Sequence, residues 1–391
     1  MRIIAISHSA ILDINRRLFV DLAERGHQVL LVCPSHWKND FGDRPLRSQP
    51  LSTTVDGHLE LRTIRINMAG NTALQCYLPL DVLALTRWRP DVVFIDEEPW
   101  SLAALQWTLL ARLARCPFVV RTNENRLRTY PWPFSSIYAS VLRHAACITP
   151  VNAYGIDILE KQHYTGKISL LPYAVDTNLF HPDDARVPDD GSLHLGFVGR
   201  IAPEKGLETL LHAVASLKDR PVTHIYGTGQ DDYLARLYQL QRDLALPDST
   251  IRWHGALAHN RVPEAMRSLD ALVVPTVAYN GYKEQFGRVV IEALVSRVPV
   301  LTSDNGELPL LIEKTGGGFV FPEGDARRLA DCIKAAMADR RTLQNLAKSG
   351  CAYVHAHYTY KVLADQVEVI LQSSVNDHNA GTRARRAMRA A

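Results

Sequence analysis

The amino-acid sequence predicts an α/β protein of two doubly wound parallel-sheet domains. The chain has 391 residues, which is too long for one ordinary hydrophobic core and suits two domains of roughly 150–200 residues. Short apolar runs alternate with longer segments of helical period, the pattern of parallel strands covered on both faces. One segment rich in proline and aspartate interrupts this alternation near the middle.

The first domain is predicted over residues 1–171. Amphipathic segments at residues 11–25, 101–114 and 135–145 are its predicted helices. Its strands are predicted at residues 2–7, 28–33, 61–66, 91–95, 118–121, 147–149 and 168–170.

A linker and a second domain follow. Residues 172–192 hold the prolines and aspartates and predict an interdomain linker. Residues 193–355 repeat the alternation, so both domains are predicted to be Rossmann-like, with a ligand site in the cleft that they face, beyond the carboxyl ends of the strands. The second set of strands is predicted at residues 193–198, 222–226, 251–253, 271–274, 300–302 and 318–320.

The chain ends in three predicted helices, at residues 325–338, 341–355 and 360–371. We assign residues 356–372 to a C-terminal helix, and the pattern leaves open whether this helix packs back on the first domain. Residues 373–391, rich in alanine and arginine at their end, are expected to form a disordered basic tail.

The formal net charge of +3 resides in this tail, which holds four arginines and one acid, Asp377. The rest of the chain is balanced in charge, which argues against general nucleic-acid binding. The tail is either a solvated extension or a weak peripheral contact with anionic lipid.

The cysteines and the apolar runs indicate the compartment. Six cysteines are scattered without a CxxC pair, which is typical of reduced, buried thiols and less so of metal or disulfide use. The N-terminal apolar run is too short for a signal peptide, and no run approaches the ~20 residues that span a bilayer. We expect a cytoplasmic protein, at most peripheral on the inner face of the membrane.

The first chemical motif is a predicted strand that runs into a turn and then into a helix from Leu207. Arg200 and Lys205 flank the helix N-terminus, where backbone amides and the helix dipole already favour an anion. Two cations there suit a diphosphate. The alternative is a pair of surface charges around a turn.

The second motif is a pair of glutamates eight positions apart. Glu284 is predicted in the loop before a helix, and Glu292 in the apolar stretch of that helix. A carboxylate among apolar side chains is costly unless a polar group such as a ribose diol meets it. Glu284 with the amides of Phe286 and Gly287 could hold sugar hydroxyls. The alternative is a loop glutamate and a helix glutamate that reaches solvent.

Taken together, these motifs and the Arg-Val-Pro-Val run from Arg297 resemble the retaining family-4 glycosyltransferases of the GT-B fold. The resemblance covers most of the chain and is strongest in the second domain. It implies that Glu284 contacts the donor sugar and that Glu292 binds the nucleoside ribose. It also implies that Arg200 and Lys205 neutralise the diphosphate, which makes them catalytic with Glu284.

Other turns fit the same donor site. Gly199 and Gly227 follow predicted strands and let the backbone approach a ligand closely. The segment that ends at Leu257 resembles the family segment whose backbone lines the base pocket. With Phe286 and Gly287, these residues complete the predicted donor-binding set.

The sequence offers no metal motif, since it has no Asp-x-Asp or histidine-rich cluster. The resemblance implies an enzyme that works without a metal and without a resident cofactor, with the nucleoside-diphosphate sugar as co-substrate. The cationic pair would then supply the electrostatic stabilisation that a metal gives elsewhere.

The first domain departs from the family pattern. Residues 7–13, after the first strand, lack the glycines that many relatives carry there. Asn123 stands where many relatives place a histidine, and Arg297 stands where a small glycine is usual. Asparagine can hydrogen-bond a sugar hydroxyl but cannot act as a base.

The acceptor-side candidates follow two first-domain strands. Glu97 and Glu98 lie in an acidic run after one strand, and Arg121 and Asn123 lie at the end of another. A glutamate here could orient an acceptor hydroxyl, and the alternative is a solvated loop.

The predicted function is transfer of a sugar from a nucleoside-diphosphate sugar to a hydroxyl of an acceptor glycan, lipid or small molecule, with retention at the anomeric carbon. A glycan, glycolipid or envelope-polysaccharide pathway is expected. The alternatives are an epimerase or a phosphorylase on the same scaffold, or a non-catalytic nucleotide-sugar-binding protein. A dehydrogenase is disfavoured because no GxGxxG follows a predicted strand.

Overall fold

A computed structural model describes residues 1–38, 45–53, 55, 57–182 and 191–390. The chain forms two compact units. One unit comprises Met1–Pro172 together with Tyr360–Ala391, and the other comprises Tyr173–Thr359.

The first unit is built on six parallel strands in the order β10-β9-β8-β1-β2-β5. The strands of this unit are β1 (Arg2–Ser7), β2 (Gln28–Pro34), β3 (His36–Trp37), β4 (Leu46–Arg47), β5 (Leu59–Ile64), β6 (Ile66–Asn67), β7 (Cys76–Tyr77), β8 (Val92–Asp96), β9 (Phe118–Thr122) and β10 (Cys147–Pro150). β3 with β4, and β6 with β7, form two short antiparallel pairs. Because β1 has β2 on one side and β8 on the other, the strand order reverses at β1 and β8.

Helices cover both faces of this sheet. They are α1 (Arg17–Glu24), α2 (Pro79–Ala84), α3 (Leu102–Ala114), α4 (Phe134–His144), α5 (Ala153–Lys161) and, from the end of the chain, α13 (Tyr360–Ala390). The core on the α3 side contains Trp107 and Tyr77, both fully buried, packed edge to face at 5.2 Å between ring centroids.

The second unit repeats the design with six parallel strands in the order β13-β12-β11-β14-β15-β16. The strands are β11 (His194–Val198), β12 (Val222–Tyr226), β13 (Ile251–Gly255), β14 (Ala271–Val274), β15 (Val300–Ser303) and β16 (Gly318–Phe321). The helices are α6 (Leu207–Ala215), α7 (Asp231–Asp243), α8 (Val262–Arg267), α9 (Arg288–Val295), α10 (Leu308–Thr315), α11 (Ala326–Ala338) and α12 (Arg340–His357). Here the order reverses at β11 and β14.

The predicted fold class is confirmed, and so are the six strands predicted for each large sheet. Residues 168–170 were predicted as a seventh strand and do not form one. Ile168 makes only an isolated bridge to Ile148, because the chain adds just a few main-chain hydrogen bonds beside β10 before it reaches Pro172.

The predicted helix at residues 11–25 is shorter in the structure, where α1 begins only at Arg17. The cause is Arg16, whose side chain is 1% exposed. Its guanidinium donates to the carbonyl oxygens of Ala10 at 2.6 Å and of Gln49 and Pro50 at 2.8 Å each. The preceding residues fold as two short 3₁₀ turns around this buried cation, which a helix would not allow.

The predicted linker at residues 172–192 is not a free connection throughout. The described residues after Pro172 belong to the second unit, where Val175 and Phe180 are each 2% exposed within a core cluster. The Val175 amide also donates to the Tyr358 carbonyl at 2.8 Å. Residues 183–190 lie outside the described part of the chain.

The C-terminal tail differs most from the prediction, because α13 continues to Ala390 instead of ending near residue 371. Alanine and arginine are strong helix formers, and tertiary contacts hold the first part of the segment, as far as His378, where disorder was expected. Lys167 pairs with Asp377, and the His378 ring donates to the Arg115 carbonyl at 3.0 Å. The side chains of residues 385–391, which carry most of the predicted lipid contact, lie outside the described set. Within the residues that the structure describes, no helix is long and apolar enough to cross a membrane.

We expect the buried face of α13 to be essential for the stability of the first unit. Replacing Leu371, which is fully buried, by alanine should lower the free energy of unfolding by about 2–5 kcal/mol. Val369→Ala is the matched control, since Val369 is 68% exposed and its loss should cost less than about 0.5 kcal/mol. Urea unfolding followed by circular dichroism measures both. Equal effects would mean that α13 does not pack on this face.

Three histidines on neighbouring strands form a hydrogen-bonded ladder in the second unit. His194 Nδ1 lies 3.0 Å from His224 Nε2, and His224 Nδ1 lies 2.9 Å from His254 Nε2. Burial, together with His254, His194 and the nearby Arg252, lowers the pKa of His224 to about 4. The folded protein therefore keeps His224 neutral at a pH where the unfolded chain protonates it.

This ladder should make the second unit sensitive to acid. Above pH 6.5 His224 is neutral in both states, whereas between pH 6.5 and about 4 the unfolded state binds the extra proton and stability falls. The loss should approach about 3 kcal/mol across this range. Unfolding titrations at pH 7.5 and pH 5 should show a smaller difference for His224→Gln than for the wild type. If the free energy of unfolding changed between the two pH values by the same amount in His224→Gln as in the wild type, His224 would not be the source of the acid sensitivity.

Candidate active site

The loops after β11 and β14 lie side by side because these two strands pair, with Leu195 opposite Ala271 and Gly196 opposite Leu272. After β11 the chain continues to β12, on one side of this pair, and after β14 it continues to β15, on the other side. A crevice opens at such a point in doubly wound sheets, and ligands bind there. The crevice residues come from the turn before α6 and from the long loop before α9.

Main-chain contacts hold the loop after β11 against the loop after β14. Gly206 has a φ of +67°, and a Cβ atom there would lie 1.9 Å from the Pro275 carbonyl oxygen. The Glu204 carbonyl accepts a hydrogen bond from the Val277 amide at 2.9 Å. Only glycine permits this approach, which holds Lys205 against the loop that carries Glu284.

Lys205 and Glu284 form an ion pair across the crevice. Lys205 Nζ donates to Glu284 Oε2 at 2.6 Å and to the Tyr282 hydroxyl at 3.2 Å. The Tyr282 hydroxyl donates in turn to Glu284 Oε1 at 3.3 Å. Burial opposes the charge on Lys205, but Glu284 and Tyr282 outweigh it and the pKa of Lys205 lies above its usual value. The pair is therefore a salt bridge at neutral pH.

The main chain at Glu284 is fixed by the loop after β15. Asn305 is 4% exposed and its Oδ1 accepts from the Glu284 amide at 2.8 Å, while its Nδ2 donates to Glu323 Oε2 at 2.6 Å. Gly306 has a φ of +58°, and a Cβ there would lie 2.2 Å from the Glu284 carbonyl oxygen. Glu284 is thus positioned from two sides by residues far away in the sequence.

Arg200, the second predicted cation, pairs with Glu204 one turn further along. Its side chain is 45% exposed, so the pair is hydrated and inexpensive to rearrange. The structure therefore brings both predicted cations to the β11 loop, and it gives each one a carboxylate partner that the sequence did not indicate.

Glu292 lies within α9, where it is half-buried among apolar neighbours. Burial raises the pKa of its carboxyl group, and Arg288 one turn earlier opposes this. Among the described residues, the Glu292 carboxylate has no hydrogen-bond or ion-pair partner. A half-buried acceptor without a protein donor is suited to the hydroxyls of a ligand.

The remaining donor-binding candidates shape the same sheet edge. Phe286 is buried, and Gly287 caps α9 with a φ of +82°. Gly227 follows β12, and a Cβ there would lie 1.9 Å from the Gly199 carbonyl oxygen. Leu257 is half-buried in the loop after β13. These positions agree with the prediction, and their contact with a donor stays a prediction.

The first unit has its own charged pair at its reversal point. His8 follows β1, and its Nδ1 lies 2.9 Å from Glu97 Oε2. Glu97 is 2% exposed and also accepts from the His8 amide, Gln75 and the Tyr77 hydroxyl at 2.8–3.1 Å. Burial works against protonation of His8, but Glu97 raises the pKa of His8 to about 9. The imidazole ring also stacks on Trp37, with 4.8 Å between ring centroids.

The other acceptor-side candidates have distinct surroundings. Glu98 accepts from the Thr122 hydroxyl at 2.8 Å and from the Asn123 amide at 2.9 Å, and burial raises the pKa of its carboxyl group to about 7. Arg121 is 7% exposed and donates to the Pro172 carbonyl at 3.0 Å. Glu97 and Arg121 thus have structural partners, and the acceptor-side roles of all four candidates stay predictions.

Sequence reasoning missed His8, Tyr282 and Asn305. His8 directly follows the first strand, and Asn305 lies two residues after β15, so their positions at strand ends were the available signal. Tyr282 had no comparable signal, because its role depends on the fold of the loop before α9. Among the described residues, no group of three or more histidine, cysteine, aspartate or glutamate side chains could hold a metal ion.

Two family models match the chain in sequence. The model described as "Glycosyl transferase 4-like domain" matches residues 14–174, and the model described as "Glycosyl transferases group 1" matches residues 183–352.

Curated relatives belong to the same class. The chain is 28% identical to a 2-deoxystreptamine glucosyltransferase of Streptomyces kanamyceticus over 65% of this chain and 70% of that protein. It is 26% identical to a GDP-mannose-dependent alpha-(1-6)-phosphatidylinositol monomannoside mannosyltransferase of Mycobacterium tuberculosis over 71% of this chain and 76% of that protein.

The fold is shared with solved glycosyltransferase structures. HepE of Anabaena, solved in complex with UDP, superposes with a TM-score of 0.71 at 17% identity, over 95% of this chain and 100% of that one. With the two sequence models matching consecutive halves and the fold matching throughout, the chain belongs to the glycosyl transferases group 1 family and is a glycosyltransferase of the GT-B fold.

Proposed function

We propose that the enzyme transfers a sugar from a nucleoside-diphosphate sugar to an acceptor hydroxyl with retention of anomeric configuration, without a metal ion or a resident cofactor. The observation that carries this proposal is the Lys205–Glu284 pair at the reversal point of the second sheet. It places a fixed cation and a fixed hydrogen-bond acceptor 2.6 Å apart where doubly wound sheets bind nucleotides.

The diphosphate binds at the β11 loop in this proposal. Lys205 is charged at neutral pH, and Arg200 is exposed enough to leave Glu204 for a phosphate oxygen. A guanidinium binds two phosphate oxygens at once, which the more compact ammonium does not. The developing charge on the leaving diphosphate is then stabilised by groups that are already in place.

The glutamates bind the sugars. Glu284 Oε1 and Oε2 retain acceptor capacity beyond Lys205 and Tyr282, so they can accept from hydroxyls of the transferred sugar. Glu292, which has no partner among the described residues, accepts from the ribose diol. Binding of the diol removes the penalty of its half-buried, unpartnered carboxylate.

Retention follows a front-face route. The acceptor hydroxyl attacks the anomeric carbon from the side that the diphosphate leaves, so the new carbon–oxygen bond forms as the old one breaks. The hydroxyl proton passes to the departing diphosphate oxygen. Glu284 is engaged by Lys205 and Tyr282 and is assigned to the hydroxyls of the transferred sugar, so this route needs no glycosyl-enzyme intermediate.

Relatives narrow the donor and the acceptor to be tested. HepE of Anabaena has been solved with UDP-glucose, and the mycobacterial relative uses GDP-mannose, so uridine and guanosine donors are the first choices. We assign the acceptor to the first unit, near Glu98 and Asn123, and the pathway to glycan, glycolipid or envelope-polysaccharide synthesis. The six free thiols are consistent with a cytoplasmic enzyme.

Replacing either Lys205 or Glu284 should abolish most of the sugar transfer. Lys205→Ala and Glu284→Ala should each lower kcat by on the order of 10²–10³, because each removes a preorganised polar group. The double variant should lose little more than either single variant, since the two residues act as one unit. The assay measures free nucleoside diphosphate and glycosylated acceptor at saturating donor.

Lys334→Ala is the matched control, because Lys334 forms an ion pair with Asp331 on the surface of α11. Its rate should equal that of the wild type. Full transfer activity in Glu284→Ala at saturating donor would overturn the assignment.

Asn305 should act through Glu284. Asn305→Ala removes the acceptor for the Glu284 amide and should lower kcat roughly 10- to 100-fold through misplacement of the carboxylate. Nucleoside diphosphate affinity should change little, because Asn305 contacts the loop and not the cations. Asn376→Ala, an exposed and hydrogen-bonded asparagine on α13, is the control. Loss of nucleotide affinity in parallel with kcat would instead indicate general disruption.

A further inference from the structure

His8 directly follows β1, and its two ring nitrogens have different surroundings. Nδ1 lies 2.9 Å from Glu97 Oε2, and a carboxylate can only accept, so Nδ1 carries the proton of this hydrogen bond. Because the two nitrogens point away from each other across the ring, Nε2 is directed away from Glu97. Among the described residues, Nε2 has no hydrogen-bond or ion-pair partner, and the side chain is 32% exposed.

The buried carboxylate of Glu97 determines the protonation state of this ring. Glu97 is 2% exposed, and its Oε1 accepts from the His8 amide and the Tyr77 hydroxyl, while its Oε2 accepts from His8 Nδ1 and the Gln75 side-chain amide. Burial and Glu97 raise the pKa of Tyr77 well above its usual value, so this hydroxyl stays neutral. His8 is therefore the one donor of the four that can supply a counter-charge. A buried carboxylate without a counter-charge is strongly unfavourable, so the pair is stable as imidazolium and carboxylate.

The groups on the other elements around the ring agree with this charge. Burial opposes protonation of His8, but Glu97, Asp96 and Glu98 from the loop after β8 outweigh it and raise the pKa of His8 to about 9. On the side of β3 the ring meets the uncharged indole of Trp37, with 4.8 Å between ring centroids and 17° between planes. His8 is thus a cation at neutral pH.

The position of this cation is fixed before a ligand arrives. The Nδ1 bond to Glu97 and the stacking on Trp37 together restrict rotation of the ring. The ring lies at the carboxyl end of β1, where the strand order of the first sheet reverses and where ligands of such sheets bind. Nε2 is therefore a preorganised donor at the ligand-binding edge of the first unit.

The charge also limits what this donor can do. A histidine bonded to a buried carboxylate through one nitrogen has the arrangement of a general base. A protonated ring has no free lone pair, so at neutral pH it donates a hydrogen bond and cannot take up a proton. His8 is thus suited to binding an oxygen atom and unsuited to activating a hydroxyl.

We propose that His8 is an acceptor-binding residue of the transferase, which donates from Nε2 to an oxygen atom of the acceptor and does not serve as its base. Glu97 is then a positioning residue that acts through His8. The inference rests on the proposed function for the presence of an acceptor in the first unit, whereas the orientation and the charge of the ring do not depend on it.

The first test measures the KM for the acceptor and for the donor separately. The donor is UDP-glucose or GDP-mannose, and the acceptor is whichever of methyl α-glucoside and methyl α-mannoside gives the faster transfer. His8→Gln should raise the acceptor KM about 10- to 100-fold and the donor KM less than about 2-fold, because one charge-assisted hydrogen bond to the acceptor is lost. His144→Gln is the matched control in the same unit, since His144 is exposed on α4 and bonds only to the Ser140 carbonyl of its own helix. Its two KM values should equal those of the wild type.

The pH dependence separates a donor from a base. In the wild type the acceptor KM should stay low at neutral pH and rise as the pH passes about 9, because the ring then loses its Nε2 proton. Glu97→Gln removes the charge that retains this proton, so the same rise should occur about 1–3 pH units lower. A base at this position would give the opposite trend, with transfer accelerating as the ring loses its proton.

The charge of the ring can also be measured without an acceptor. In wild-type protein labelled with ¹⁵N-histidine, the His8 signal is identified by its absence from His8→Gln. Nε2 should carry a proton at pH 7.5 and lose it near pH 9. This measurement decides the charge even if Glu97→Gln does not fold.

Three results would overturn the proposal: an acceptor KM that is unchanged in His8→Gln, a donor KM that rises in parallel with it, or a neutral ring at pH 7.5. Failure of the proposed function reads out differently. In that case neither methyl glycoside is glycosylated and Lys205→Ala behaves as the wild type. The acceptor role of His8 then falls as well, while the ¹⁵N titration of the ring is unaffected.

Discussion

The active-site architecture depends on the reversal of strand order at β11 and β14. Because these neighbouring strands send their connections to opposite sides of the sheet, their loops meet without a helix between them. Lys205 and Glu284 use this gap to form a salt bridge that joins two loops 79 residues apart in sequence. At the corresponding point of the first unit, His8 and Glu97 form a similar charged pair.

Both pairs hold charge in place before any ligand arrives. Burial disfavours an isolated charge, and the carboxylate within hydrogen-bond distance of each cation more than offsets this effect. The raised pKa values of Lys205 and of His8 express this coupling. A ligand that enters either crevice therefore meets fixed dipoles and charges, and little reorganisation is needed during reaction.

The sequence was sufficient for the strands of the two large sheets, because buried parallel strands read as apolar runs. It was also sufficient to place Arg200, Lys205 and Glu284 in loops and Glu292 in a helix, while their donor-binding roles stay predictions. It was not sufficient for features set by contacts between distant segments. The buried guanidinium of Arg16 replaces the first half of a predicted helix by turns around carbonyl oxygens from the β4–β5 region.

The same limit applies to the site and to the end of the chain. The amide of Asn305 and the hydroxyl of Tyr282 act on Glu284 only once three loops have come together. The tail of the chain looked disordered by composition, yet its helix is held by Lys167 and by the carbonyl of Arg115. Composition indicates the conformation that a segment prefers in isolation, whereas these contacts join the segment to residues that are distant in the sequence.

The two reversal points are built differently, and this difference bears on where specificity lies. In the second unit, Gly199, Gly206 and Gly227 keep the backbone close and open, which suits a diphosphate bound largely by main-chain amides and two cations. In the first unit the loop after β1 lacks glycine, and the acceptor capacity of Glu97 is filled by four donors from the protein. A carboxylate so fully bonded fixes the position of its neighbours and has little capacity left for an acceptor. Under the proposed function, recognition of an acceptor by the first unit would then rest on side chains other than Glu97.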